Sequence, residues 1–265
     1  MPDAALPLKL RLFRQMLFHR IFPWFGAGIP GRLVYSSSLT LGRTFGPYFQ
    51  HGESAQPMYR DGCSQLLGLF LREFAQLRKA FDLPIVVHGL DQVASAYSQH
   101  RRLVLCSIHL PLNRCLHRAL APLRIPSCVI TTSVGPVPPY VLGIPDAQQP
   151  TRLFPGPSLY FQIRSALSEG RIVITDIDRW YRNRTIGLTS GPIEFAARTQ
   201  TPILFFATAL DRNGEIRVVF SRAHTGAILE NRTECLDSFA EFLRPFVGEQ
   251  DRFCWENRHD GRRAA

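Results

Sequence analysis

Short, almost wholly apolar runs separated by stretches of helical period constrain this chain more than any other feature. Leu103-Val104-Leu105-Cys106-Ser107-Ile108 carries no charge, and 85–87, 127–131, 171–175 and 202–209 are similar runs rich in β-branched or aromatic residues. A strand reads this way when both of its faces are covered, as in a parallel sheet flanked by helices. The intervening segments supply the covers. Leu66, Leu67, Phe70, Leu71, Phe74, Leu77 and Phe81 recur at three- and four-residue steps and predict a helix over 58–81. Helices are also predicted over 91–99, 111–121, 158–168, 190–200 and 233–246, with Pro111 in a first turn and Gly170 just past an end. Asp211-Arg212-Asn213-Gly214 predicts a hairpin turn between strands at 202–209 and 215–220. The expected fold is α/β, a mostly parallel central sheet with helices on both faces and one antiparallel hairpin. Residues 32–57, polar and punctuated by glycine, read as a connection. Residues 134–157 read as a Pro- and Gly-rich loop of the length that binding loops and lids have.

The chain of 265 residues suffices for one such domain, expected over 31–265. Residues 1–30 differ in character. The stretch 7–25, PLKLRLFRQMLFHRIFPWF, alternates bulky apolar side chains with Lys9, Arg11, Arg14, His19 and Arg20. Charges interrupt it too often for a bilayer-spanning helix, which needs about 20 apolar residues. A basic amphipathic helix lying among anionic headgroups fits better, with Phe22, Trp24 and Phe25 as interfacial aromatics. The formal charge of +10 favours phosphate-bearing partners, and 29 of the 31 basic residues are arginine, Lys9 and Lys79 being the exceptions. Nucleic acid is not an expected partner, because no recognition motif accompanies the charge. The six cysteines form no CxxC pair, so they read as free thiols, neither a disulfide framework nor a zinc site. A GxSxG elbow, an HExxH helix, a GxxxxGK[ST] loop and a Gly-rich dinucleotide fingerprint are all missing, which excludes the enzyme classes built on them.

In sheets of this type functional side chains gather beyond the carboxyl ends of the strands. His109 and Asp178 each stand there, one after each of two apolar runs. A histidine so placed can act as general base on a hydroxyl. Arg164, Arg179 and Arg114 are candidates for holding a phosphate or another part of a substrate, since guanidinium binds phosphate bidentately.

The order of these features extends the reading. V-H-G-L-D-Q-V, then R-L-V-L-C-S-I-H-L-P-L-N-R-C-L over 102–116, resembles the first half of the bacterial lipid A biosynthesis acyltransferases of the lauroyl/myristoyl type. Arg164 through Asp178, Gly191 through the run after Pro202, the D-R-N-G-E-I-R-V-V-F hairpin and Phe253-Cys254-Trp255 are similar to later blocks of that family, so the resemblance covers roughly 85–259. It implies a glycerolipid-acyltransferase-like fold. It also implies transfer of a fatty acyl group from an acyl-carrier-protein or CoA thioester to a hydroxyl or amine of a lipid-like acceptor. His109 would be the base, no metal or cofactor would be needed, and the chain would sit peripherally on the cytoplasmic face of a bacterial inner membrane. One departure stands out: the acid of the family's H-x4-D/E motif falls at position 114, and that residue is Arg114. Arginine cannot accept the imidazole N–H. Asn113 is expected to orient the ring instead, or a carboxylate comes from elsewhere, Asp178 or Asp91. The remaining alternative is a lapsed homologue that binds lipid or acyl carrier protein without catalysis.

Overall fold

The computed structural model describes residues 31–49, 57, 61–76, 83–131 and 149–255. The amphipathic segment at 7–25 and most of the loop at 134–157 lie outside these residues. Ten strands and eight α-helices are described. Two helices come first, α1 (Gly31–Phe49) and α2 (Gly62–Gln76), followed by β1 (Ile85–His88), α3 (Leu90–His100) and β2 (Leu103–Ser107). A 3-10 turn at Asn113–Cys115 runs into α4 (Leu116–Leu120), then β3 (Ser127–Ile130), β4 (Thr151–Leu153), α5 (Leu159–Ser168) and β5 (Ile172–Asp176). The chain goes on through β6 (Asp178–Arg182), β7 (Thr185–Leu188), α6 (Gly191–Thr199), β8 (Ile203–Leu210) and β9 (Ile216–Phe220). It closes with α7 (Ala227–Glu230), α8 (Arg232–Leu243) and β10 (Arg252–Trp255).

Seven strands form the central sheet in the order β1-β9-β8-β2-β5-β3-β4. The five from β8 to β4 are parallel, and the Asp211–Gly214 turn sends β9 back antiparallel to β8 with β1 beside it. The expected architecture, including its hairpin, is therefore observed. Alternation splits the central strands between two cores. Val104, Cys106, Ile203, Phe205 and Ala207 face α6 and α8, where Phe239 and Leu243 pack. Leu103, Leu105, Leu204 and Phe206 face α3 and α4, where Val93, Leu116 and Leu120 pack. The apolar runs of β2, β5 and β8 are unbroken because both faces of these strands are buried over most of their length.

Residues 32–57 do not form a plain connection, since 31–49 are helical. Their buried positions, Tyr35, Ser38, Gly42 and Gly46, recur at helical spacing. The glycines are notches where α2 approaches closely: a Cβ on Gly46 would lie 2.7 Å from the Cys63 nitrogen. A stripe of small residues buries a helix face without an apolar pattern. The Tyr35 hydroxyl donates to the Gly214 carbonyl at 2.7 Å, tying α1 to the β8–β9 turn.

A second, three-stranded sheet in the order β10-β7-β6 stands beyond the carboxyl end of β5. Its β6–β7 hairpin is not among the elements that the sequence pattern predicts. The turn uses Asn183 at φ 49° and Arg184 at φ 59°, two left-handed residues of the kind that two-residue hairpin loops require. All six cysteines are free, and Cys106, Cys115, Cys128 and Cys235 are buried. Among the described residues no helix is long and apolar enough to cross a membrane.

Candidate active site

Sheet register assembles the site. Strands β2 and β5 are parallel neighbours with Ser107 opposite Asp176. The Ile177 N–H donates to the Ser107 carbonyl at 2.8 Å, so the pairing persists just past the strand ends. Two residues beyond Ser107 and Asp176 stand His109 and Asp178, which therefore meet across 69 residues of sequence. Asp178 Oδ1 accepts the His109 backbone N–H at 2.8 Å and the ring Nδ1–H at 2.9 Å. An ionised carboxylate only accepts, so Nδ1 must carry a proton and Nε2 is the basic nitrogen. The register of β6 against β7 shifts between Asp178 and Trp180, leaving Arg179 as the extra residue of a bulge. Bulges beside sites commonly re-aim a side chain in this way.

A second carboxylate lies on the other side of the ring, with Asp176 Oδ2 3.6 Å from His109 Nε2. Its other oxygen is held. The Asn113 amide donates to Asp176 Oδ1 at 2.9 Å and to the Ile108 carbonyl at 2.7 Å. The Thr208 hydroxyl in turn donates to Asn113 Oδ1 at 2.9 Å. Continuing the β2–β8 register past Cys106–Phe205 brings Thr208 level with His109. The chain Thr208–Asn113–Asp176 thus crosses three elements and leaves Asp176 Oδ2 directed at the reactive nitrogen.

The electrostatics follow from that geometry. Burial pushes the imidazole towards neutrality, but the Asp178 hydrogen bond and the charges of Asp176 and Asp178 outweigh it and raise His109 to about 9. Burial raises Asp176 to about 6, against the pull of His109 and the Asn113 hydrogen bond. The ring side chain is 49% exposed, so a reactant can reach it. Among the described residues no three potential ligands converge to hold a metal ion.

No family model and no curated protein matches this chain. The site must therefore be read from its own residues. Of the candidates, His109 and Asp178 come together as a bonded pair. Asn113 is a correction: its amide serves Asp176 and the Ile108 carbonyl, and its hydrogen bonds do not go to the imidazole. The amide reaches a neighbouring carboxylate because the 3-10 turn starting at Asn113 swings it under the β2 end. Arg114 lies in that same turn, and its charge helps burial to lower His117 to about 3. Arg179 is exposed at the bulge next to Asp178, whereas Arg164 is exposed on α5. Asp91 accepts from the Gln92 amide in the first turn of α3 and plays no part in the pair. His117 is a buried packing residue and His224 stacks on Phe205. Asp176 and Thr208 were not anticipated. The available signal was polarity at the end of an otherwise apolar strand.

Two expected results test this positioning. Asn113→Ala frees Asp176 from its anchor, so His109, followed by NMR titration of its ring protons, should titrate below 9. Gly68→Ala tests the loop that carries the histidine. A Cβ there would lie 2.5 Å from the Pro111 carbonyl oxygen, too close without moving the loop. Overpacking of this kind costs about 1–3 kcal/mol, read as a lower midpoint in urea.

Proposed function

We propose that the protein is an acyltransferase, moving a fatty acyl group from an acyl-carrier-protein or CoA thioester to a hydroxyl or amine of a lipid-like acceptor. The observation that carries this reading is the His109–Asp178 pair at the carboxyl edge of a parallel sheet. The sequence resemblance to the lipid A acyltransferases supplies the reaction class. In that reading Nε2 removes the acceptor proton as the oxygen or nitrogen attacks the thioester carbon. The tetrahedral intermediate collapses with loss of the thiolate, which takes the proton back from the imidazolium. Asp178 fixes the tautomer and balances the charge that forms on the ring. This carboxylate, 69 residues from the histidine in sequence, takes the place of the acid that Arg114 does not supply. Asp176 is suited to accept a hydrogen bond from the incoming hydroxyl or amine. Arg179, beside Asp178, is a candidate for the donor's phosphopantetheine phosphate or the acceptor's phosphate. The basic segment at 7–25 would hold the chain peripherally on the cytoplasmic face of a bacterial inner membrane.

The test is direct. The purified chain is given lauroyl or myristoyl thioesters of acyl carrier protein or CoA, with and without a phosphorylated acylated glucosamine lipid as acceptor. Acceptor-dependent release of free thiol, matched by acylated product in the mass spectrum, is expected. Thiol release that ignores the acceptor, or none with either donor, would refute the reading.

A further inference from the structure

Eight large apolar side chains stand exposed among the described residues, and four of them project from one edge of the sheet. Phe154 follows β4, Tyr160 and Phe161 open α5, and Trp180 lies on β6 beyond the end of β5. Strands β4 and β5 run parallel to β2, so their carboxyl ends share the edge on which His109 stands. With neighbouring strands about 4.8 Å apart, β4 lies roughly 14 Å along that edge from β2. Phe161 is the most exposed of the four, at 69%. Tyr160 meets it edge-on at 5.8 Å and rests on Phe195 of α6 at 5.2 Å, so the helix start is braced from below while its aromatic crest faces outward. Single exposed apolar residues need no explanation, but a grouped set marks an interaction surface.

Charge identifies the partner. From 149 to 168 the chain contains Arg152 and Arg164 and no acidic residue. Arg164 is exposed one turn after Tyr160 and Phe161, on the same side of the helix. Aromatic side chains at the tip with arginine one turn behind match the depth profile of an anionic bilayer, with an apolar boundary under a layer of phosphates. We infer that the crest formed by Phe154, Tyr160 and Phe161, with Arg164 behind it, docks on an anionic lipid surface and turns the His109 edge towards the bilayer. This contact is separate from the segment at 7–25. It does not require acyl transfer, so it can fail or hold independently of the proposed activity.

The experiment uses the full chain and vesicles of three parts phosphatidylcholine to one part phosphatidylglycerol. The photo-cross-linker p-benzoylphenylalanine replaces Phe161 or, as a control, Gln99. Gln99 is exposed near the opposite edge, where the Tyr97 hydroxyl donates to the Gly170 carbonyl ahead of β5. Irradiation should give lipid adducts at position 161 and none at 99. Phe161→Glu should weaken vesicle binding about tenfold or more, since a phenylalanine side chain that enters the bilayer on docking is replaced by a charge. Arg164→Glu should weaken binding to these vesicles and leave binding to pure phosphatidylcholine unchanged. A chain that floats with the vesicles but yields no lipid adduct at 161 would overturn the inference, because binding would then run through another surface. A protein–protein adduct at 161 would overturn it too, by making the crest a contact between copies.

Discussion

His109→Ala is expected to reduce acyl transfer about 10^4-fold or more, leaving no measurable product above the thioester's own breakdown. Among the described residues of the site, the ring alone has a basic nitrogen, and it is half exposed. Neither Asp176 nor Asp178 can take over, since Asp178 is committed to the His109 backbone N–H and Asp176, raised only to about 6, is a far weaker base than the ring at about 9. The loss should not come from unfolding. His109 is half exposed and belongs to none of the three core clusters. The variant's midpoint in a thermal scan should therefore stay within a few degrees of the parent's. Undiminished transfer by this variant would remove the histidine from the chemistry.

Asp178→Asn carries the second-largest expected effect, a loss of about a hundred- to a thousandfold. The amide is nearly the same size and its oxygen can still accept from the His109 backbone and from Nδ1. It no longer carries the charge that balances an imidazolium, and a flipped amide would select the wrong tautomer. Two readouts separate this from a packing defect. His109 should titrate below 9 in the variant, because both the hydrogen bond to a carboxylate and its charge are gone. Asp178→Glu, with the charge kept but the reach changed, should recover part of the rate. If Asp178→Asn lost activity with the imidazole titration unmoved, the aspartate would be a structural support and no partner of the ring.

Parts of this site can be read in the sequence and parts cannot, for physical reasons. The strand ends that bear His109 and Asp178 were legible because strands covered on both faces are apolar throughout, so the first polar residue marks the exit. Their partnership was not legible. It depends on β5 lying next to β2, with the intervening β3 and β4 placed on the far side of β5. Asp176 was hidden because a carboxylate at a strand end resembles any solvated terminus. Only the register with Ser107 puts it by the ring. Gly42 and Gly46 misled in the opposite sense. Glycine usually breaks a helix, yet here it lets α2 come so close to α1 that a Cβ on Gly46 would lie 2.7 Å from the Cys63 nitrogen, which a string of residues does not disclose. The β6–β7 hairpin went unseen because its turn is Asn183-Arg184, with no glycine to announce it.

In the proposed function His109, held by Asp178, acts as the base in acyl transfer. The most direct test of this role is the pH dependence of kcat/KM for that transfer between about pH 6 and 10, corrected for the rate of His109→Ala at each pH. With the ring at about 9, only about one molecule in a hundred carries a free base at pH 7. Proton loss creates the active form, so the corrected rate should climb about tenfold per pH unit and level off near 9. A corrected rate that is flat across this range, or already level by pH 7, would rule out an imidazole at about 9 as the base.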